Sequence, residues 1–407
     1  MAGRARDSHA SAQKRTAPSQ ARAERVLTLR ELNRALLARQ LLLERVHLPV
    51  ARAVERIGGL QAQWPPAPYH ALWSRLAGFR VEQLGRALDA RRVVKASLMR
   101  ATLHIVSRAD YWSLVEALLP ARLERVERSF PGLDLDALTE RLLAAEQGPR
   151  LRDRWYEALD ELAPRPLKPD ERWPLWVTVL TRARLVHAPP SGRYGYYGSP
   201  SFVPAESRLG AAPAPGDPLG ALVRRHLAAF GPATREDVAS WAGLRPALLR
   251  PVLEALPLRR YRDEKGRLLY DVARAPLPSP ETPAPIRFLP KWDSALLAHS
   301  PPERERILPE RFRKTVIRPN GDVLPTFLVD GFVAGTWSVE NGRLRLAPFT
   351  RLGSAIRSQL DEEGERLQAF LSSAARAERE LTEEPQAPVR RSPRAPRGGA
   401  RRARPAP

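Results

Sequence analysis

Asp217–Gly231 (DPLGALVRRHLAAFG), Pro232–Gly243 (PATREDVASWAG), Leu244–Leu256 (LRPALLRPVLEAL) and Leu258–Val272 (LRRYRDEKGRLLYDV) follow one another almost without a spacer, and their order decides the fold. The first segment is amphipathic and stops at Gly231. The second offers Thr234 as an N-cap with Asp237 three residues on, and stops at Gly243. In the third, Pro246 suits a first helical turn and Pro251 predicts a kink. The fourth alternates, turns at Glu264-Lys265-Gly266 and alternates again, as a β-hairpin does. Three helices and a basic hairpin predict a winged helix, a variant of the helix-turn-helix.

Working outward, the same order recurs near the start. LTLRELNRALLARQLLL reads as a helix capped by Thr28, with Glu31 completing a capping box. LPVARAVERIGG and VEQLGRALDARR are two further helices, with GLQAQWPPAPYHALWSRL inserted between them. VVKASLMRATLHIVS supplies paired β runs. A looser copy spans 109–216, with helical runs at DYWSLVEALL, DLDALTERLLAAEQ and DRWYEALDELA and a long hairpin whose tip is rich in Gly and Tyr. Beyond residue 284 short alternating strands are punctuated by Asn320-Gly321, Asp330-Gly331 and Asn341-Gly342, which are hairpin signals, and a helix closes the region. The expected fold is therefore α+β, with tandem winged-helix motifs and a small β-rich C-terminal region. The expected units are a disordered basic tail over 1–25, winged helices over 26–108, 109–216 and 217–283, a β-rich domain with its closing helix over 284–372, and a second disordered basic tail over 373–407.

Composition narrows the chemistry. The chain of 407 residues has no cysteine, which excludes disulfides, thiolate nucleophiles and cysteine-ligated metals. Its seven histidines show no metal-ligand spacing, and no phosphate-cradling glycine loop occurs, so neither a metal nor another cofactor is expected. No apolar run is long enough to cross a membrane, and a cytoplasmic, nucleoid-associated, monomeric protein is the plain expectation. The net charge is +22, and all but six of its 67 basic residues are arginine. Such a positive field attracts polyanions, and a planar guanidinium forks onto phosphate. Residues 1–25 and 385–407 carry half of the excess, +4 and +7 of the +22, and both tails are expected to grip phosphate nonspecifically.

Gln61-Ala62-Gln63 lies between Gly58-Gly59 and Pro65-Pro66. Those flanks favour a non-helical strand or turn, and if the segment is extended both amides point to one face and Ala62 to the other. On a helix they would splay by about 200°, from the ~100° step per residue. Two converging amides can hold and aim a water, yet an amide is no strong base. Such a site suits a bond that is already labile, as the N-glycosidic bond of a cationic, alkylated purine is. Spacing alone leaves open a second reading, in which the glutamines are polar filler at a helix end.

The pieces LARQLL, GLQAQ, APYHALWSRL and MRATLHIVS, with the later RFLPKWDSALLAH and FLVDGFVAGTW, resemble the winged-helix DNA-binding family that contains the AlkZ-type DNA glycosylases. The resemblance spans roughly residues 28–370. It implies a C-shaped molecule around duplex DNA and a catalytic glutamine–aliphatic–glutamine triplet, here Gln61 and Gln63, acting on N7-alkylated, bulky or cross-linked purines.

Other candidates follow from the residues. In a strand, Arg100, Thr102 and His104 share one face and would line the lesion pocket or touch the backbone. Arg193 and Tyr194 sit in the hairpin tip, Arg259, Arg260 and Arg262 in the last basic hairpin, and Arg75 beside the core residue Trp73; each is a candidate DNA contact. Asp293 reads as a cap or hydrogen-bond anchor. Lys95 is the lysine nearest the glutamines, and with so few amines hydrolysis alone is expected. The alternative function is a non-catalytic winged-helix regulator.

Overall fold

The computed structural model describes residues 24–144, 149–214 and 216–383; most of the two basic tails lies outside them. β1 (Val26–Leu27) leads into α1 (Leu29–Arg39). Thr28 caps α1 in the expected box, with its side chain accepting from the Glu31 N–H and its own N–H donating to Glu31 at 2.9 Å. α1 does not join the first winged unit as the sequence suggested. Its buried Asn33 donates to the carbonyls of Arg306 and Gly331 instead, which docks it on the C-terminal region.

The first repeat begins at α2 (Val50–Arg56), followed by β2 (Leu60–Gln61), α3 (Ala67–Arg75), α4 (Val81–Asp89), β3 (Val93–Ser97) and β4 (Leu103–Ser107). Its sheet runs β2-β4-β3, so GLQAQ is the first strand of the unit rather than an insertion. The long α5 (Arg108–Ser129), which contains DYWSLVEALL, lies outside the repeats. The second repeat is α6 (Leu135–Ala144), β5 (Arg150–Leu151), α7 (Arg152–Leu162), α8 (Pro169–Arg182), β6 (Leu185–Ala188) and β7 (Ser201–Pro204), with the sheet order β5-β7-β6.

After the short α9 (Ala205–Leu209), the third repeat follows the opening stretch: α10 (Pro218–Phe230), α11 (Arg235–Ala242), α12 (Pro246–Ala255), β8 (Arg259–Asp263) and β9 (Leu268–Asp271). Ala233 bridges to Tyr270 of β9, in the place that β2 and β5 hold in the other two sheets. β1 then adds to the outer edge, parallel to β8. Thr234 and Asp237 form the expected capping box, and α12 continues through Pro251.

β10 (Arg287–Leu289), α13 (Ser294–Leu297), α14 (Glu310–Val316), β11 (Thr326–Val329), β12 (Phe332–Glu340), β13 (Arg343–Pro348) and α15 (Ser354–Glu383) complete the chain. The four strands form one antiparallel sheet. Asp330-Gly331 and Asn341-Gly342 turn its hairpins with positive φ at both positions, which matches their sequence signal. α15 runs further than the expected end of the closing helix at 372. One apolar cluster joins α1, α5 and the third repeat to α13 and α14. A second joins the first repeat to the C-terminal sheet and α15, so the first repeat is buttressed from behind.

Candidate active site

Gly58 and Gly59 end α2 with φ of 76° and 93°, a left-handed turn that sends the chain directly into β2. There the register pairs Gln61 with His104 and Leu60 with Ile105, and the Ala62 N–H donates to the Leu103 carbonyl at 2.7 Å. The strand ends at Gln61, its ladder is continued by the Ala62 N–H, and the chain bends at Gln63, so the flanks' strand-or-turn signal is met by a strand that runs into a bend. Ala62 is fully buried, whereas Gln61 is 7% exposed and Gln63 lies at the surface. The two amides meet: Gln61 Nε2 donates to Gln63 Oε1 at 2.8 Å.

Arg100 completes a chain of donors. Its guanidinium donates to Gln61 Oε1 at 2.9 Å and to the Trp241 carbonyl at 2.8 Å. The expected continuous strand through Arg100 is corrected: Met99–Ala101 is a tight helical turn, with φ of 53° at Arg100 and 58° at Ala101. That bend, closed by Thr102 Oγ1 donating to the Met99 carbonyl at 3.0 Å, aims Arg100 at Gln61. Thr102 is thus spent on the turn. Burial pulls the Arg100 guanidinium down to about 10, with Arg304 adding repulsion, so it stays cationic at neutral pH.

His104 stands opposite Gln61 on the same face of the sheet, because paired antiparallel residues share a face. Burial, and then the charge of Arg100, pushes its imidazole down to about 3, which keeps it neutral. Lys95 pairs with Ile105 and therefore points to the opposite face. Burial lowers its ammonium to about 8.

Three expected DNA contacts are otherwise engaged. Arg75 is 1% exposed and forks onto Asp293 at 2.9 and 2.8 Å, so it cannot reach a phosphate; Asp293 also caps α13. Arg193 is paired with Asp89. Tyr194 packs edge-on against Tyr69 at 5.2 Å, and the hairpin tip folds back on the first repeat. There it helps line a groove of about 860 Å³ with Trp64, His70 and Trp337. Arg259 and Arg260 are exposed on a different sheet from the glutamines, while Arg262 pairs with Glu24 at 3.1 Å. Sequence reasoning missed the part played by the third repeat, whose Trp241 carbonyl anchors Arg100; a backbone acceptor leaves no trace in residue type. No group of acidic or histidine side chains able to hold a metal occurs among the described residues. No described helix is long and apolar enough to cross a membrane.

The fold is mixed α+β, with a hydrogen-bonded amide pair at the edge of the first repeat's sheet. Residues 54–370 match the family described as DNA glycosylase AlkZ-like, and the chain belongs to that family of DNA glycosylases. It is similar to the interstrand DNA cross-link repair glycosylase of Streptomyces sahachiroi, with 25% identity over 349 residues, covering 76% of this chain and 88% of the relative. Its fold is similar to the solved structure of the Streptomyces sahachiroi DNA glycosylase AlkZ, with a TM-score of 0.70 and 22% identity over 86% of this chain and 97% of that one.

Proposed function

We propose that the protein excises N7-alkylated purines, bulky or cross-linked ones included, from duplex DNA, with Gln61 and Gln63 placing the attacking water. The observation that carries the proposal is the directional chain from Arg100 through Gln61 to Gln63. Arg100 fixes the orientation of the first amide, and the first amide fixes the second. The outer lone pair of Gln63 Oε1 and the remaining Gln61 N–H are then left to hold one water.

An N7-alkylated purine is cationic, so the C1′–N9 bond breaks with its electrons neutralising the base, and no general acid is required. The held water adds to the oxocarbenium-like C1′ and sheds its proton to solvent, which leaves an abasic deoxyribose. His104, neutral at working pH, contributes a dipole beside Gln61 rather than a proton. Lys95 faces away, which supports hydrolysis without a Schiff base and hence without strand cutting. The three sheets with their preceding helices are read as winged helices set in a C around a DNA duplex. The similarity to an interstrand DNA cross-link repair glycosylase of Streptomyces sahachiroi supports bulky or cross-linked lesions as substrates.

The test is incubation of a 7-methylguanine duplex and of a nitrogen-mustard cross-linked duplex with wild type and with the Gln61→Ala/Gln63→Ala variant. Wild type should generate abasic sites, and the variant should lose about 100-fold or more of that rate while still binding DNA. Equal rates in the two proteins would refute the amide mechanism.

A further inference from the structure

Arg100 touches more than Gln61. It also lines a cleft of about 620 Å³ between the C-terminal half of α5 and the turn joining α11 to α12. Arg122, Arg125 and Arg128 project into it from α5, and Arg245 from the turn. Their three-residue spacing puts the α5 arginines on one side of the helix, ~4.5 Å apart along its axis. Glu124 is the one acid in the lining, and it pairs with Arg245 at 2.9 Å. Arg122 donates to the Ser97 and Leu98 carbonyls, which fixes the α5 wall to the strand end beside Arg100. Arg125 and Arg128 are exposed, and no acid among the described residues forms an ion pair with either. On the other wall Gly243, with φ of 76°, presses on Arg100: a Cβ there would lie 3.0 Å from the Arg100 Cα. The cleft and the glutamine pair therefore share Arg100.

We propose that this cleft seats the phosphate backbone of duplex DNA next to the lesion. Guanidinium forks match the paired oxygens of a phosphodiester, and the row of arginines has a span comparable to successive phosphates, at ~3.4 Å per strand charge along the duplex axis. The seat begins one side chain from Gln61, which the Arg259 and Arg260 hairpin does not. Placement beside the lesion rests on the proposed role of the glutamines; the binding of DNA in the cleft does not.

Two measurements test it. Anisotropy titration of an undamaged duplex compares Arg125→Glu/Arg128→Glu with Arg259→Glu/Arg260→Glu, and Arg125→Gln/Arg128→Gln replaces the former if its melting curve departs from wild type. Loss of two phosphate contacts should make the fall in affinity between about 50 and 200 mM salt roughly tenfold shallower for the cleft variant. A wild-type salt dependence there, with the loss confined to the hairpin variant, would overturn the proposal. Because the chain has no cysteine, Ser129→Cys at the cleft gives a unique thiol for an iron–EDTA cleavage reagent. Strand cuts should centre within a few nucleotides of a 7-methylguanine, and cuts that ignore its position would overturn the placement. Base release is read separately, so failure of the glutamine mechanism leaves the binding result intact.

Discussion

The first and third repeats share an element order and treat the buried polar groups of their sheets in opposite ways. The third cancels charge with charge. Asp271, 2% exposed, receives two N–H groups of Arg39 at 2.7 and 2.8 Å, and Asp263, 5% exposed, receives the Arg267 Nε–H at 2.8 Å. The first repeat buries Gln61, His104 and Lys95, and none of the hydrogen bonds described for them goes to a carboxylate. Paired ions fix one packing arrangement, because each is costly without the other. The neutral amide of Gln61 and imidazole of His104 keep hydrogen-bonding capacity for a substrate and remain unchanged when a cation arrives. One repeat spends its buried groups on a clamp, and the other leaves them to the proposed site.

The comparison breaks hardest at Arg39. Arg39→Leu strands Asp271 and should cost about 3–5 kcal/mol of stability, read by denaturant unfolding, with most of it restored in Arg39→Leu/Asp271→Leu. A single-variant loss below about 1 kcal/mol would deny the clamp. In the first repeat, Arg100→Lys cannot serve both Trp241 and Gln61, and its single-turnover base release should slow about tenfold at saturating enzyme with little change in melting. Unaltered release would show that Gln61 needs no fixed orientation.

The third prediction concerns acid. Burial holds His70 and His104 at about 3 and His226 at about 4, below the unfolded value of 6.5. The unfolded chain therefore binds more protons in that window. The stability contributed is full above pH 6.5 and is lost as pH falls toward 4. The thermal midpoint should drop from pH 7 to 4.5, and a level midpoint would mean that these rings accept protons inside the fold. The smallest effect belongs to Lys95→Met, which should leave base release at the wild-type rate and raise the melting point slightly by removing a buried amine. Loss of release would bring the Schiff-base route back.

Local order was legible where short-range physics decides it. The capping residues Thr28 and Thr234, the Asp-Gly and Asn-Gly turns, the third repeat and the non-helical path of the glutamine triplet all follow from neighbours in sequence. Long-range partners were not. Arg75 reads as a surface cation on a helix until Asp293 arrives from a distant segment. Arg100 reads as a strand residue because nothing local announces a left-handed bend that Gly243, far along the chain, makes room for. The place of α1 was misread for the same reason, since its amphipathic face says that it packs but not on what.

β1 lies on the outer edge of the third sheet, beside β8. On the ribosome that strand emerges long before its neighbour exists, and α1 waits likewise for the Arg306 and Gly331 carbonyls. The opening segment is thus made early and installed late. Until its partners leave the exit tunnel, its apolar surface stays uncovered, and a translational pause once β9 has left the tunnel would come in time for the strand but not for the helix.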